Sequence, residues 1–157
     1  MTTREISFVV HGTPIPQGSM KGYAFKRRTG NLGVALTSDN KKTRPWKDSV
    51  ASAARESWDE APTDDAVSLT MEFAFMPPKS SRVPHKTTKP DIDKLARAVM
   101  DALTGVVYRD DSQVVALNAR KVFTFGSPGV TVRVETIANA KVSAKEARQL
   151  TFGRRAG

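Results

Sequence analysis

Val67-Ser68-Leu69-Thr70-Met71-Glu72-Phe73-Ala74-Phe75 alternates apolar side chains with small or polar ones, the pattern of a β-strand with one face buried. Pro77-Pro78 ends it, and after a basic loop the period changes. Ile92, Leu95, Ala96, Val99 and Leu103 recur at offsets of three and four, which puts one apolar stripe on a helix. Gly105 supplies the stop. Val106-Val107-Tyr108 reads as a short extended piece, Arg109 to Ser112 as a turn, and Gln113 to about Phe125 as a longer strand. Gly126-Ser127-Pro128-Gly129 then turns the chain into Val130, Val132 and Val134, again alternating, and these last two strands are expected to pair as an antiparallel hairpin.

Working back towards the N-terminus, Ile6 to Val10 is a first strand that ends at His11-Gly12-Thr13-Pro14, a turn extended by Pro16-Gln17-Gly18-Ser19. A hairpin follows, with Tyr23 to Phe25 and Val34 to Leu36 as arms and Lys26 to Asn31 as a basic tip. Thr43 is placed as the cap of a helix whose apolar positions, among them Trp46, Val50, Ala54 and Trp58, run on to Pro62. Both tryptophans are assigned to the core. This order of elements predicts an α+β fold: a single domain over residues 1–137 in which two main helices cover a mixed, mostly antiparallel sheet. Residues 138–157 form a basic tail, in which Ser143 and Glu146 have capping-box spacing for a short helix through Leu150, before Arg154, Arg155 and Gly157 fray.

At 157 residues the chain can bury one core without staples. It has no cysteine, which excludes disulfides, thiolate metal sites and a cysteine nucleophile. The start, Met1 to Ile6, lacks a signal-peptide pattern and no apolar run approaches membrane-spanning length, so an intracellular, cytoplasmic protein with no membrane partner is expected. A net charge of +9 favours a polyanion, and nucleic acid outranks membrane because the basic residues fall in loops, hairpin tips and the tail. Lys26, Arg27 and Arg28 form either a solvated tip or a phosphate-contacting finger. Lys79, Arg82, Lys86 and Lys89 lie in an acid-free loop just ahead of Asp91, where phosphate binding is favoured over simple solubility.

The acids stand out against this background. Asp91 as an N-cap and Asp93 as a complement to the helix dipole would each be explained by the helix alone. Asp111 is not. A helix of about thirteen residues rises roughly 20 Å, and about six extended residues cover a similar length in return, so Asp111 is expected back beside the helix start. Three converging carboxylates need a cation, and oxygen ligands suit Mg2+ or Mn2+. A metal-dependent nuclease is the reading that follows. Lys94 or Arg97 would stabilise charge on the phosphate, although Asp93 and Arg97 also have the spacing of a surface ion pair. Asp110 is read as a turn former, Asp101 as facing solvent or a basic neighbour, and His11 and His85 as ordinary surface residues.

The segment from Lys89 to Gln113, with its acid-x-acid motif, its amphipathic helix ending Asp101-Ala102-Leu103 and its Asp110-Asp111-Ser112-Gln113 before a strand, resembles the RusA family of Holliday junction resolvases, many of them encoded by phages and prophages. Gly12 to Gly18 is similar to that family's turn after the first strand. The resemblance implies a RusA-like fold and a Mg2+-dependent endonuclease of recombination and repair. It would bind four-way DNA junctions as a homodimer and nick two strands symmetrically. It places the essential acids on Asp91, Asp93 and Asp111. The chain departs from the pattern in carrying Arg97 where a lysine is usual and Lys94 where an asparagine is frequent. The two-fold symmetry of a junction independently asks for a dimer when each chain makes one cut. Two rivals stand beside this reading: a module that binds branched or single-stranded DNA without catalysis, and a metal-dependent nuclease acting on flaps or RNA.

Overall fold

The computed structural model describes residues 3–38, 40–139 and 141–152. Arg154, Arg155 and Gly157 lie outside the described residues. In chain order the elements are β1 (Glu5–His11), β2 (Met20–Lys26), β3 (Leu32–Ser38), α1 (Thr43–Ser57), β4 (Ala66–Phe75), α2 (Ile92–Leu103), a single 3-10 turn (Asp111–Gln113), β5 (Val114–Phe123), β6 (Gly129–Ile137) and α3 (Ala144–Phe152). The main sheet has the order β1-β6-β4-β5, with β4 and β5 parallel and the other neighbours antiparallel. β2 and β3 form a separate antiparallel hairpin. This is the α+β, mixed-sheet, single-domain architecture expected.

The period-two reading of β4 holds: Val67, Leu69, Met71 and Phe73 are fully buried while Thr70 is exposed. α1 and α2 pack on each other, α1 against β1 and α2 against β5. Their inner faces carry Trp46, Val50, Ala54, Leu95, Val99 and Leu103 into one core with the valines of β6. Burying a side chain of this size contributes about 1.5–3 kcal/mol, so this cluster supplies the main driving force. Trp58 is also buried, its indole N–H donating to the Ala61 carbonyl at 3.2 Å while the Arg4 guanidinium stacks 4.2 Å from its ring centroid. The sheet's other face stays polar, with a concavity of about 460 Å3 lined by residues such as Ser7, Thr70, Asn118 and Thr131.

Four expectations are corrected. β5 and β6 run in opposite directions but are not a hairpin, because β4 lies between them. β6 bonds on both sides, to β1 and to β4, and its valines are buried accordingly. Thr43 is not the cap of α1; it is the first helical residue, and its hydroxyl donates to the Pro16 carbonyl at 2.9 Å, tying the Gly/Pro turn to the helix. α1 stops at Ser57, with Trp58 as its C-cap donating to the Ala54 carbonyl. Val106-Val107-Tyr108 is no extended piece: Gly105, at φ +78°, bends the chain into a tight turn closed by Gly105 N–H to Tyr108 O at 2.7 Å, a backbone conformation that glycine adopts without steric cost.

Candidate active site

α2 begins where the acid-x-acid motif predicts. Asp91 is extended and occupies the N-cap position, yet its carboxylate makes no capping hydrogen bond. The helix is started by backbone alone, Leu95 N–H to Asp91 O at 3.1 Å. Asp93 lies exposed in the first turn. Among the described residues neither side chain has a hydrogen bond or ion pair, so helix capping does not consume these acids. The spacing of Asp93 and Arg97 produces no ion pair, and Arg97 is exposed. Ile92, assigned to the buried stripe, is 38% exposed, because the first turn of α2 projects beyond the core it covers.

The Gly/Pro turn reaches this point from the far end of the sequence. Gln17 N–H donates to the Lys94 carbonyl at 2.9 Å, and the Lys94 ammonium lies 3.4 Å from the Ser19 hydroxyl. Pro16, Gln17, Gly18 and Ser19 thereby form one wall of a groove of about 420 Å3, and Lys89, Pro90, Asp91 and Lys94 form the other. Gln17 and Asn40 also line an adjoining hollow of about 700 Å3 edged by Lys41, Arg44 and Lys47. Lys47 is partly committed, since it pairs with Asp101 at 3.2 Å; this is the basic neighbour expected for Asp101.

Beneath the groove, Lys121 on β5 donates to the carbonyls of Thr88 and Pro90, both at 2.9 Å, and so fixes the backbone that presents Asp91. The composition of the strand held the signal for it. A lysine in register with the buried Phe73, in a series with Leu117, Ala119 and Phe123, needs a polar partner on the buried side.

The predicted phosphate contacts divide. Lys79, Arg82 and Lys89 are exposed in the loop before α2, and Lys26, Arg27 and Arg28 are exposed at the hairpin tip. Lys86 is turned inward, 4.8 Å from the Phe75 ring centroid and 3.1 Å from the Thr88 hydroxyl. Burial, with the charge of Lys121 adding to it, lowers its pKa. His11 and His85 are exposed.

Asp111 is the largest correction. The return from α2 is made by β5 itself, so Asp111 sits at the C-terminal end of the helix. Three observations fix this placement. The 3-10 turn packs on α2; Gln113 donates to the carbonyls of Thr63 and Asp65, just ahead of β4; and Asp111 and Asp101 both act on the buried Tyr108 hydroxyl, whose pKa is raised mainly by burial. A helix of 12 residues separates the two ends, about 18 Å. No group of three His, Asp or Glu side chains gathers among the described residues of one chain.

Asp110 is the turn former expected. Its carboxylate accepts the Ser112 N–H at 2.8 Å, which holds its pKa below the usual value. Gln113 completes a capping box by accepting the N–H groups of Arg109 and Asp110. That leaves the exposed Asp111 carboxylate without a partner among the described residues.

Within a chain, then, the unengaged Asp91 carboxylate shares the groove with the Lys94 ammonium, and the exposed Asp93 carboxylate, two residues on, lies outside the groove lining. Such hard donors fit an ion like Mg2+, which needs one or two carboxylates and keeps its remaining positions for water and phosphate. No described helix is long and apolar enough to cross a membrane.

Two comparisons relate the chain to known proteins. The chain is 31% identical over 145 residues to a protein of Bacillus subtilis strain 168 named "Uncharacterized protein YqaN", an alignment covering 85% of this chain and 97% of that one. The family model described as "Endodeoxyribonuclease RusA" matches residues 12–135, a span that runs from the Gly/Pro turn through both acidic motifs into β6. The chain therefore belongs to the RusA family of endodeoxyribonucleases.

Proposed function

We propose that this protein is a Mg2+-dependent, structure-selective endodeoxyribonuclease, able also to use Mn2+, that resolves four-way DNA junctions by paired, symmetric phosphodiester hydrolysis as a homodimer. The observation that carries the reading is the groove in which Asp91, free of any capping bond, stands with Lys94 against the Gly/Pro turn. Asp91 and Asp93 hold the ion. A bound divalent cation supplies Lewis acidity for phosphate hydrolysis.

The chain's own residues do the rest. Lys94, steadied by Ser19 and by the bond from Gln17 to its carbonyl, places positive charge where the phosphate gains negative charge. Arg97 projects outside the groove lining, so Lys94 is the better placed of the two cations. Lys121 holds the Thr88–Pro90 backbone in position. Lys89, Lys79 and Arg82, with Lys41 and Arg44 along the adjoining hollow, offer a path for the sugar-phosphate backbone, and the hairpin tip offers a second contact. Such contacts set position and register, and junction selectivity then comes from shape and charge across two subunits.

The test is cleavage of a synthetic four-way junction with Mg2+. Asp93→Asn should lower the rate by about 100-fold or more at unchanged junction binding. Equal cleavage by wild type and variant removes Asp93 from the mechanism. A panel of junction, flap, single-stranded DNA and RNA at equal salt separates resolvase from the flap or RNA nuclease, and binding without any metal-dependent product identifies a binding module.

A further inference from the structure

We propose that the β2–β3 hairpin is a wedge that enters the branch point of a DNA junction, where Tyr23 and Phe25 stack on bases that a continuous duplex keeps hidden. The inference rests on the reading of the protein as a branched-DNA endonuclease and names the part of the chain that recognises the branch.

The hairpin stands clear of the core. β2 and β3 pair with each other and pack on no other element to a comparable extent, and from Gly22 to Ala35 every residue except Gly33 is exposed. A two-stranded ribbon is marginally stable alone in water and gains stability when an apolar face is covered. This one has two such faces. Register sets Tyr23 opposite Ala35 and Phe25 opposite Gly33, and alternation puts Ala24, Leu32 and Val34 on the other side. Tyr23 is 56% and Phe25 45% exposed on the first face, and Leu32 79% and Val34 68% on the second. Apolar surface displayed in this way marks a contact with another molecule.

Gly33 shapes the aromatic face. A Cβ there would lie 2.7 Å from the Phe25 ring and 2.9 Å from Arg27 Nε, so the glycine lets ring and guanidinium lie side by side over the strand. An aromatic ring beside an arginine is a surface on which any base can stack. Charge identifies the occupant. Between Met20 and Ser38 the chain carries Lys21, Lys26, Arg27 and Arg28 and no acid, which calls for a polyanion. A second copy of the hairpin would be repelled by the like charge. A lipid surface is met by one apolar face, whereas here both faces are apolar and the cations crowd the tip. DNA offers phosphates and ring faces together, but a continuous duplex buries those faces in its stack. The pairs flanking a branch point lose that neighbour, and a ribbon apolar on both sides can lie between them, as apolar wedges lie between base steps.

The root of the hairpin ties the wedge to the cut. Ser19, immediately before β2, and Asn40, just after β3, both line the groove that contains Asp91. From Ser19 to Tyr23 is about 13 Å of extended chain, or roughly four base steps along a strand. The hairpin thereby sets incision within a few nucleotides of the branch point.

The test uses a four-way junction carrying 2-aminopurine beside the branch point, in EDTA so that no strand is cut. Wild-type protein should alter the fluorescence of this label and leave the same label within a continuous duplex unchanged. Tyr23→Ala combined with Phe25→Ala keeps every cation and lies outside the core, so its melting temperature should be that of wild type. It should bind the junction about tenfold or more weakly, bind duplex as wild type does, and lose the fluorescence response. Tyr23→Trp combined with Phe25→Trp should keep the affinity and the response, and Gly33→Ala, by displacing the Phe25 ring, should lose part of both. Wild-type junction affinity in the double-alanine variant, or an equal loss on junction and duplex, overturns the wedge. Unchanged junction binding alongside lost binding to phosphatidylserine vesicles overturns it in favour of a lipid surface. A junction that responds as expected yet stays uncut when Mg2+ is added supports the wedge and counts against the nuclease reading alone.

Discussion

Gln113 shows how much one side chain can fix. Its amide oxygen accepts two backbone N–H groups, from Arg109 and Asp110, and its nitrogen donates to two carbonyls, Thr63 and Asp65, all within 3.0 Å. Gln113→Ala should lower stability by about 2 kcal/mol, read from urea denaturation, because part-buried backbone groups lose their partners. Gln113→Glu should cost at least as much, since a carboxylate oxygen would face two carbonyls. The acid-acid-Ser-Gln motif thus divides into a structural part, Asp110 and Gln113, and a free carboxylate, Asp111. That division was legible only for Asp110, as turn chemistry, because the partners of Gln113 come from some 50 positions upstream. The groove cation is similar. Spacing alone left Lys94 and Arg97 equivalent, whereas the bond from Gln17 and the proximity of Ser19 single out Lys94. Lys94→Ala is expected to reduce kcat by about 100-fold and Arg97→Ala by less than about tenfold, measured in single-turnover junction cleavage.

Elements whose period is set by burial were readable from the sequence: β4, α2 and the inner face of α1 all lie where their apolar spacing puts them. Strand neighbours were not, because alternation reports which face is buried and says nothing about which strand lies alongside. Insertion of β4 between β5 and β6 therefore escaped notice, and with it the fact that β5, not the segment after Gly105, spans the length of α2. The same gap misplaced Asp111. Local chemistry was more reliable at α3, where Ser143 and Glu146 form the expected capping box: the Glu146 carboxylate accepts from the Ser143 N–H at 2.9 Å and from its hydroxyl at 2.6 Å. Those bonds hold the Glu146 pKa below its usual 4.5. The contribution to helix stability is complete above pH 4.5 and is lost as the pH falls through the lower folded value. The protection of α3 amides against exchange, taken relative to the intrinsic rate at each pH, should fall on acidification through that range ahead of that of α2, and Ser143→Ala should remove the difference in onset.

At the scale of the whole molecule the governing quantity is the contrast between a +9 chain and a site made of acids. Lys89 lines the groove, whereas Lys79, Arg82, Lys41, Arg44 and the hairpin tip lie outside its lining, so most of the charge that attracts DNA can be changed separately from the carboxylates that would hold the ion. Neutralising phosphates releases condensed cations, and about six such contacts give a slope of log affinity against log salt on the order of −5. Junction binding measured without divalent ions should show a slope of about this size, corresponding to a loss of roughly 1,000-fold between 50 and 200 mM salt. Lys79→Ala and Arg82→Ala should each flatten the slope by about one and weaken binding to all sequences alike, because phosphate contacts carry no sequence information. Asp91→Asn should leave the slope unchanged and, by removing a negative charge beside the bound backbone, tighten metal-free binding slightly while abolishing cleavage. A salt slope near zero would mean that the cations of the loop and hairpin do not meet phosphate, and recognition would then have to come from the groove alone.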